Sequence, residues 1–378
     1  MRTLSKSAVT MSLILATAGA GVASADDAAA PAAAKPAVPA LSDILTAANL
    51  TATGYVDGTY SYFSASPPGG GSTDTNAFAL NQASLSIAYA PAAGFGALVN
   101  AVAGTEAFNG GYGPGYGPTP AGTSSFNLLQ AYVQYISGKT TAYVGKFVTL
   151  AGAEVAAPTG DTNVTRSLLF FYNEPVTHVG ARVAYAASDK VTITLGANNG
   201  WNNDGSVTKG GKTAELGLSL TPNKIFSLAA AGYYGDYDVG GGVYGNRGLV
   251  DVVGTWTASS ALTVIVNADY DSQDHYAGAG TGTATWYGVA GYLNYAINDS
   301  WRVSGRGEYL DDKDSYATAI PTATLGKETT VGEGTVTFGY APAKNFELRL
   351  EGRYDSYKPK GVGATNVTQG WVQALFKF

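Results

Sequence analysis

The chain has 378 residues, no cysteine, 50 glycines and 25 tyrosines, and only 13% of its residues are charged. Without cysteine it has no disulfide, no thiolate nucleophile and no cysteine metal site. Beyond residue 25 it carries 20 basic against 28 acidic side chains, a net charge of −8, which excludes a strongly basic nucleic-acid face.

Arg2 and Lys6 precede a small apolar run, Ala8 to Gly21, and Val22-Ala23-Ser24-Ala25 has the small-x-small pattern of a cleavage site. Residues 1–25 are therefore expected to be a signal peptide cut after Ala25. That run is too short to span a bilayer as a helix, and no later segment has about 18 to 20 consecutive apolar residues. The expectation is an exported protein without a helical anchor. Residues 26–40 form an Ala/Pro tract that cannot bury a core, so 26–49 reads as a periplasmic linker with a short helix near Leu41 to Asn49.

From Leu50 to Phe378 the pattern is strand throughout. Seven short polar connections carry hairpin chemistry: 91–94, 137–139, 188–190, 222–224, 258–261, 297–300 and 342–345. Between them lie longer Gly- and Asp-rich stretches, near 64–77, 105–125, 149–175, 201–211, 239–246, 274–283, 311–328 and 358–365. This alternation predicts an all-β fold, a transmembrane antiparallel up-and-down barrel of about 16 strands, with long extracellular loops and short periplasmic turns. Such a barrel also accounts for a mean hydropathy near zero, since only every second residue need be apolar. A secreted β-sandwich or β-helix is the competing fold.

Tyr89, Tyr135, Tyr185, Tyr295 and Tyr340 precede short turns at a constant offset, as an aromatic girdle at a membrane interface would. Tyrosine is also simply a good strand former. In Phe346-Glu347-Leu348-Arg349-Leu350-Glu351-Gly352-Arg353-Tyr354-Asp355 one face is apolar and the other wholly charged. In a barrel the charged face looks inward, onto water. The last strand, Gly370 to Phe378, alternates in the same way and ends on an aromatic residue. That ending resembles the assembly signal of bacterial outer-membrane barrels, and the strand is expected to close the barrel against Leu50 to Phe63.

Residues 126–204 hold the most specific signal: Leu129-Gln130-Ala131-Tyr132-Val133-Gln134-Tyr135, Gly145-Lys146-Phe147, Gly152-Ala153-Glu154, Thr165-Arg166-Ser167-Leu168-Leu169-Phe170, Glu174-Pro175-Val176-Thr177-His178-Val179-Gly180-Ala181-Arg182 and Asn198-Asn199-Gly200-Trp201-Asn202. Together with the terminal strand, this resembles the OmpL-like β-barrel porin-2 family. The resemblance implies a bacterial outer-membrane barrel and a passive channel for small hydrophilic solutes. It implies lipid, lipopolysaccharide and, through Phe378, the assembly machinery as partners, with a homotrimer permitted by small-residue faces such as Ala97, Ala101 and Ala103.

The segment 149–175 is long and partly apolar, and such a loop in a compact fold is usually functional. It is expected to fold into the lumen as a constriction presenting Glu154, Asp161 and Arg166, with the apolar run 167–172 packed on the wall or on another subunit. Arg182, Arg302, Arg306, Glu308, Arg349, Glu351 and Arg353 have inward parity, and the arginines are expected to face the loop's acids as a basic wall. Self-pairing through Glu351, about 6.6 Å from Arg349 and Arg353 along the strand, is the alternative. Weak selectivity leaning to cations follows from the acidic balance.

Two other functions are weighed. A structural or adhesive barrel would act through loops such as 109–120. A barrel hydrolase needs a base, and the histidines are His178, on a strand beside Arg182, and His275, in a loop beside Asp271 and Asp274. No nucleophile–base–acid set accompanies them, so no enzymatic activity is expected. Asp311-Asp312-Lys313-Asp314 and Gly278 to Gly282 lack the context of a calcium loop or a phosphate loop. No cofactor and no metal site is expected.

Overall fold

A computed structural model of the chain describes residues 41–65, 76–107, 125–202, 211–240, 243–275, 282–318 and 327–378. The expected signal peptide, the Ala/Pro tract and residues 109–120 and 278–281 lie outside these. A short helix, α1 (Leu41–Ala47), leads through Asn49, at φ 55°, into the first strand.

Sixteen strands follow: β1 (Leu50–Phe63), β2 (Asn76–Tyr89), β3 (Gly94–Gly104), β4 (Ser125–Ser137), β5 (Thr140–Val148), β6 (Thr177–Ser188), β7 (Val191–Asn198), β8 (Thr213–Leu220), β9 (Phe226–Gly240), β10 (Val243–Thr257), β11 (Leu262–Asp274), β12 (Thr283–Ala296), β13 (Trp301–Asp312), β14 (Thr329–Ala343), β15 (Phe346–Pro359) and β16 (Thr365–Lys377). Each pairs antiparallel with its neighbours, and β1 pairs with β16, so the sheet is a closed barrel. All seven short turns fall between strands as read from the sequence. Most of the stretch 239–246 is strand and not loop: β9 runs on to Gly240 and β10 starts at Val243, with Tyr244 opposite Asp238 and Val243 opposite Gly240.

The alternation is inside out. Along β15 Leu348, Leu350 and Tyr354 are exposed, whereas Arg349, Glu351, Arg353 and Asp355 are buried. The outer wall is a band of exposed Val, Leu, Ile and Phe, including Ile87, Val133, Leu195, Val252, Leu293 and Phe338. In water that surface would drive aggregation; against lipid it is the solvated face. Tyr89, Tyr135, Tyr185, Tyr295 and Trp301 are exposed at the short-turn end, and Tyr234, Tyr270, Tyr309 and Tyr354 toward the other. Trp301 and Tyr309 are separated along β13 by about 26 Å, or about 20 Å of membrane depth after strand tilt. The tyrosines therefore bracket an apolar band of bilayer dimensions.

Closure involves the terminal residue directly. Gly54 and Phe378 exchange both backbone hydrogen bonds at 2.9 Å. A Cβ on Gly54 would stand 2.4 Å from the Phe378 ring, so the ring lies where only glycine leaves space. Gly54→Val, like removal of Phe378, should lower the yield of folded, heat-modifiable barrel several-fold on electrophoresis. Gly58→Ala, whose added Cβ meets only Ala79 O at 3.9 Å, should not.

Candidate functional site: a loop across the lumen

Residues 149–176, between β5 and β6, lie inside the barrel. Their backbone could not stay unpaired there, and wall side chains from much of the ring satisfy it. Gln82 on β2 donates to Ala156 O at 3.1 Å. Tyr233 on β9 accepts from Leu150 N at 2.9 Å, and Asn267 on β11 from Ala153 N at 2.7 Å. Trp286 on β12 donates to Tyr172 O at 3.0 Å. Since β2 and β11 stand on opposite sides of a ring of sixteen strands, the segment crosses the lumen.

Its apolar run has become a helix, α2 (Leu168–Tyr172), capped by Ser167, whose hydroxyl accepts from Phe170 N at 3.0 Å. The helix buries both sides. Leu168 and Tyr172 pack with Trp286, Leu310, Val331, Tyr357 and Trp371, while Phe170 packs with Val102, Leu129 and Ala156. The run packs on this barrel's own wall.

The arginines do not face the loop's acids from across a gap. Arg306 contacts Glu154 at 2.7 Å and Glu308 at 2.9 Å, and donates to Thr165 O at 2.6 Å. Arg353 pairs with Asp355 at 2.8 Å and donates to Arg166 O at 2.6 Å. Arg302 and Arg349 share Glu347, at 2.7 and 2.9 Å, and each also donates to a loop carbonyl. Asp161 sits within the loop, 3.1 Å from Arg166. Arg182 lies apart, paired with Glu215 at 2.5 Å and stacked over Phe147.

Self-pairing of β15 through Glu351 is also not what forms. Glu351 receives Val164 N at 2.6 Å, Thr165 N at 2.9 Å, Thr165 Oγ1 at 2.6 Å and Thr337 Oγ1 at 2.6 Å. Its carboxylate is thus a docking anchor for the loop.

Facing this wall is an acidic group that sequence reasoning missed. Asp251 on β10 stands directly opposite Asp269 on β11, and Glu174, from the loop, brings its carboxylate within 4.8 Å of both. Asp271 is close by and accepts from Asn173 Nδ2 at 2.7 Å. Ionised pairs at that spacing repel by about 3 kcal/mol at an effective dielectric near 20. The signal available was the acids at inward parity, Asp251 on β10 and Asp269 and Asp271 on β11; the register that opposes Asp251 to Asp269 is not visible in one sequence. Gly152, at φ +95°, is needed here, since a Cβ would lie 2.0 Å from Glu174 Oε2.

Burial, and after it Asp251, Glu154, Asp271 and Glu308, holds the Glu174 carboxyl well above the usual range. Burial likewise pushes Asp161 up to about 7 against the pull of Arg166. The remaining candidates serve structure. His178 is buried, its Nδ1 3.1 Å from Gly200 O and its ring stacked on Tyr233 at 4.8 Å. His275 takes a left-handed turn, φ 60°, and Asp271 points away from it to Asn173.

The family model described as "Putative beta-barrel porin-2, OmpL-like" matches residues 49–378. The chain belongs to this family. The match covers the whole barrel, well beyond 126–204, and gives this OmpL-like porin an outer-membrane location. Among solved structures it is similar to the outer membrane channel DcaP of Acinetobacter baumannii (TM-score 0.65, 13% identity, 87% of this chain and 97% of that one). It is similar to the anion-selective porin from Comamonas acidovorans (0.62, 10%, 87% and 99%) and to OmpT of Vibrio cholerae in a trimer form (0.61, 13%, 87% and 99%). At these identities the likeness is one of fold. No curated protein matches the chain significantly.

Glu351→Ala removes four bonds to a charged acceptor and leaves two loop N–H groups buried, a loss of about 3 kcal/mol or more of docking. Limited proteolysis should then cut within 153–167 in the variant and not in the parent. The pH dependence has a definite sign. A carboxyl raised in the docked state binds protons more tightly there than in solvent, so docking weakens as pH rises from the solvated value toward about 7. Amide exchange across 153–167, corrected for intrinsic rate, should be slower at low than at high pH, and Asp161→Asn should flatten the difference.

Proposed function

We propose that the protein is an outer-membrane porin through which small hydrophilic solutes and ions diffuse passively, with residues 149–176 as the constriction. The observation that carries this reading is the crossing of a charge-lined lumen by a segment held on opposite walls, inside a barrel whose outer face is apolar. Glu154, Asp161, Arg166, Arg302, Arg306, Glu308, Arg349, Glu351 and Arg353 form the rim of that constriction, and Arg182 lines the wall beside it. Selectivity is weak and leans to cations. Arg302, Arg306, Arg349 and Arg353 are ion-paired with carboxylates of their own wall, whereas Glu174, Asp251, Asp269 and Asp271 have no lysine or arginine within ion-pair distance among the described residues.

The same reading has the chain exported with cleavage after Ala25, assembled through its Phe378 strand and in contact with lipopolysaccharide. A homotrimer is part of it, supported by the trimer form of the similar OmpT. Catalysis is not part of it, in keeping with the packing of His178 against the wall.

Planar-bilayer recording tests the proposal. The parent protein should give discrete steps of small conductance, and shortening 153–167 to a Gly-Ser bridge should raise the step several-fold. Reversal potentials in a salt gradient should show a modest cation preference. Silence from both proteins, or strong anion selectivity, would overturn the reading.

A further inference from the structure

The acidic group on the β10–β11 wall has an arrangement that neither loop docking nor solute passage requires. Asp251 and Asp269 are cross-strand partners, the placement in which like charges are least favourable. The Asn267 amide donates to one oxygen of each, Asp251 Oδ2 at 2.6 Å and Asp269 Oδ1 at 3.1 Å. The other oxygens, Asp251 Oδ1 and Asp269 Oδ2, are buried without a hydrogen bond. Glu174 arrives from the loop, 6% exposed, its Oε2 also without a donor. One carboxylate oxygen from each of three chain segments thus lies within 4.8 Å of the other two, and each carboxylate keeps one buried oxygen without a hydrogen bond. Buried acceptors are normally satisfied, and what could satisfy all three at once is a positive charge placed between them.

We propose that Glu174, Asp251 and Asp269 bind a divalent cation that ties the constriction loop to the β10–β11 wall. All three ligands are hard oxygens with no nitrogen or sulfur among them, which selects calcium or magnesium over zinc or copper. Calcium is the better fit, because a carboxylate set drawn from two strands and a loop tolerates its irregular shell more readily than magnesium's strict octahedron. Bound there, the ion replaces mutual repulsion with attraction exerted on Glu174, two residues before the loop ends. The inference rests on this geometry and not on conduction: a barrel that conducted nothing would bind the ion equally well.

Full barrel refolded in detergent without lipopolysaccharide, stripped with a chelator, is titrated with calcium chloride by calorimetry up to about 10 mM, a range spanning extracellular calcium modules. One saturable site per chain is expected. Glu174→Gln, nearly isosteric, should weaken it by about tenfold or more. Asp269→Asn should do the same, and Asp299→Asn, in a short turn, should leave it unchanged. Heat-modifiable mobility checks that each variant is folded, and should one fail, amide exchange of 169–175 in the parent, with calcium and with chelator, gives an independent readout. Calcium should slow that exchange. No saturable binding, binding undiminished in folded Glu174→Gln, or exchange indifferent to calcium would overturn the proposal and leave protons as the neutralising species.

Discussion

Lipid offers no partner for a backbone N–H or C=O, and that constraint organises this molecule from its closure inward. A sheet of sixteen strands with a free edge could not persist in hydrocarbon, so β1 must find β16, and the pairing that begins at Gly54 and Phe378 removes the last edge. Once the sheet is closed, period-two alternation leaves one destination for each parity: apolar residues toward lipid, polar residues toward the lumen. The charged face of β15, ambiguous in isolation, acquires its direction from closure alone. The same requirement then falls on residues 149–176. A loop entering a lumen must bring its backbone to partners, and the wall presents Gln82, Asn267, Trp286, Arg306 and Glu351 where those partners are needed.

The charges on β13–β15 are better understood as fixtures than as a field. Burying an ion pair seldom gains net stability, because desolvation offsets the Coulomb attraction; what such pairs supply is a defined geometry. Arg306 is held by Glu154, Glu308 and Glu333, and in that position its remaining donors reach Thr165. Arg353 is held by Asp355 and reaches Arg166 O; Arg349 is held by Glu347 and reaches Pro158 O. Each arginine is neutralised by one or more carboxylates and uses its remaining donors to grip the loop's main chain. A transverse field built from these arginines therefore cancels close to its source.

The barrel was legible because its rules are local. Turn chemistry at seven places, tyrosines at a constant offset and strict alternation each repeat many times, so a single misreading, the stretch 239–246, did not disturb the strand count. That misreading has a physical cause: a Gly-rich sequence suits both a loop and the tip of a long hairpin, and only pairing between β9 and β10 decides. The site was legible in part. The entry of 149–175 into the lumen followed from an apolar run that could not stand in water, and the inward residues followed from parity. Partner choice did not follow. Glu351 lies between two arginines in sequence and pairs with neither, because loop N–H groups compete for it from almost two hundred residues away. Asp251 and Asp269 meet only through register, which no single strand encodes.

The loop consequently has two edges of different chemistry. On the β13–β15 side many of the bonds run from charged wall groups to loop backbone, N–H to Glu351 and Glu308, C=O to Arg306 and Arg353, with Glu154 and Thr165 adding side-chain contacts. Arg306 and Arg353 are already ion-paired there, whereas Glu351 is satisfied by N–H and hydroxyl donors. On the β10–β11 side the approach of Glu174 to Asp251 and Asp269 is carboxylate against carboxylate, and its sign depends on what neutralises them. Helix α2 lies between the two edges, its apolar side chains packed toward both walls, and couples them as one body. A change in charge at the acidic edge therefore bears first on Glu174, while the backbone contacts of the loop with the arginine wall involve none of the three clustered carboxylates.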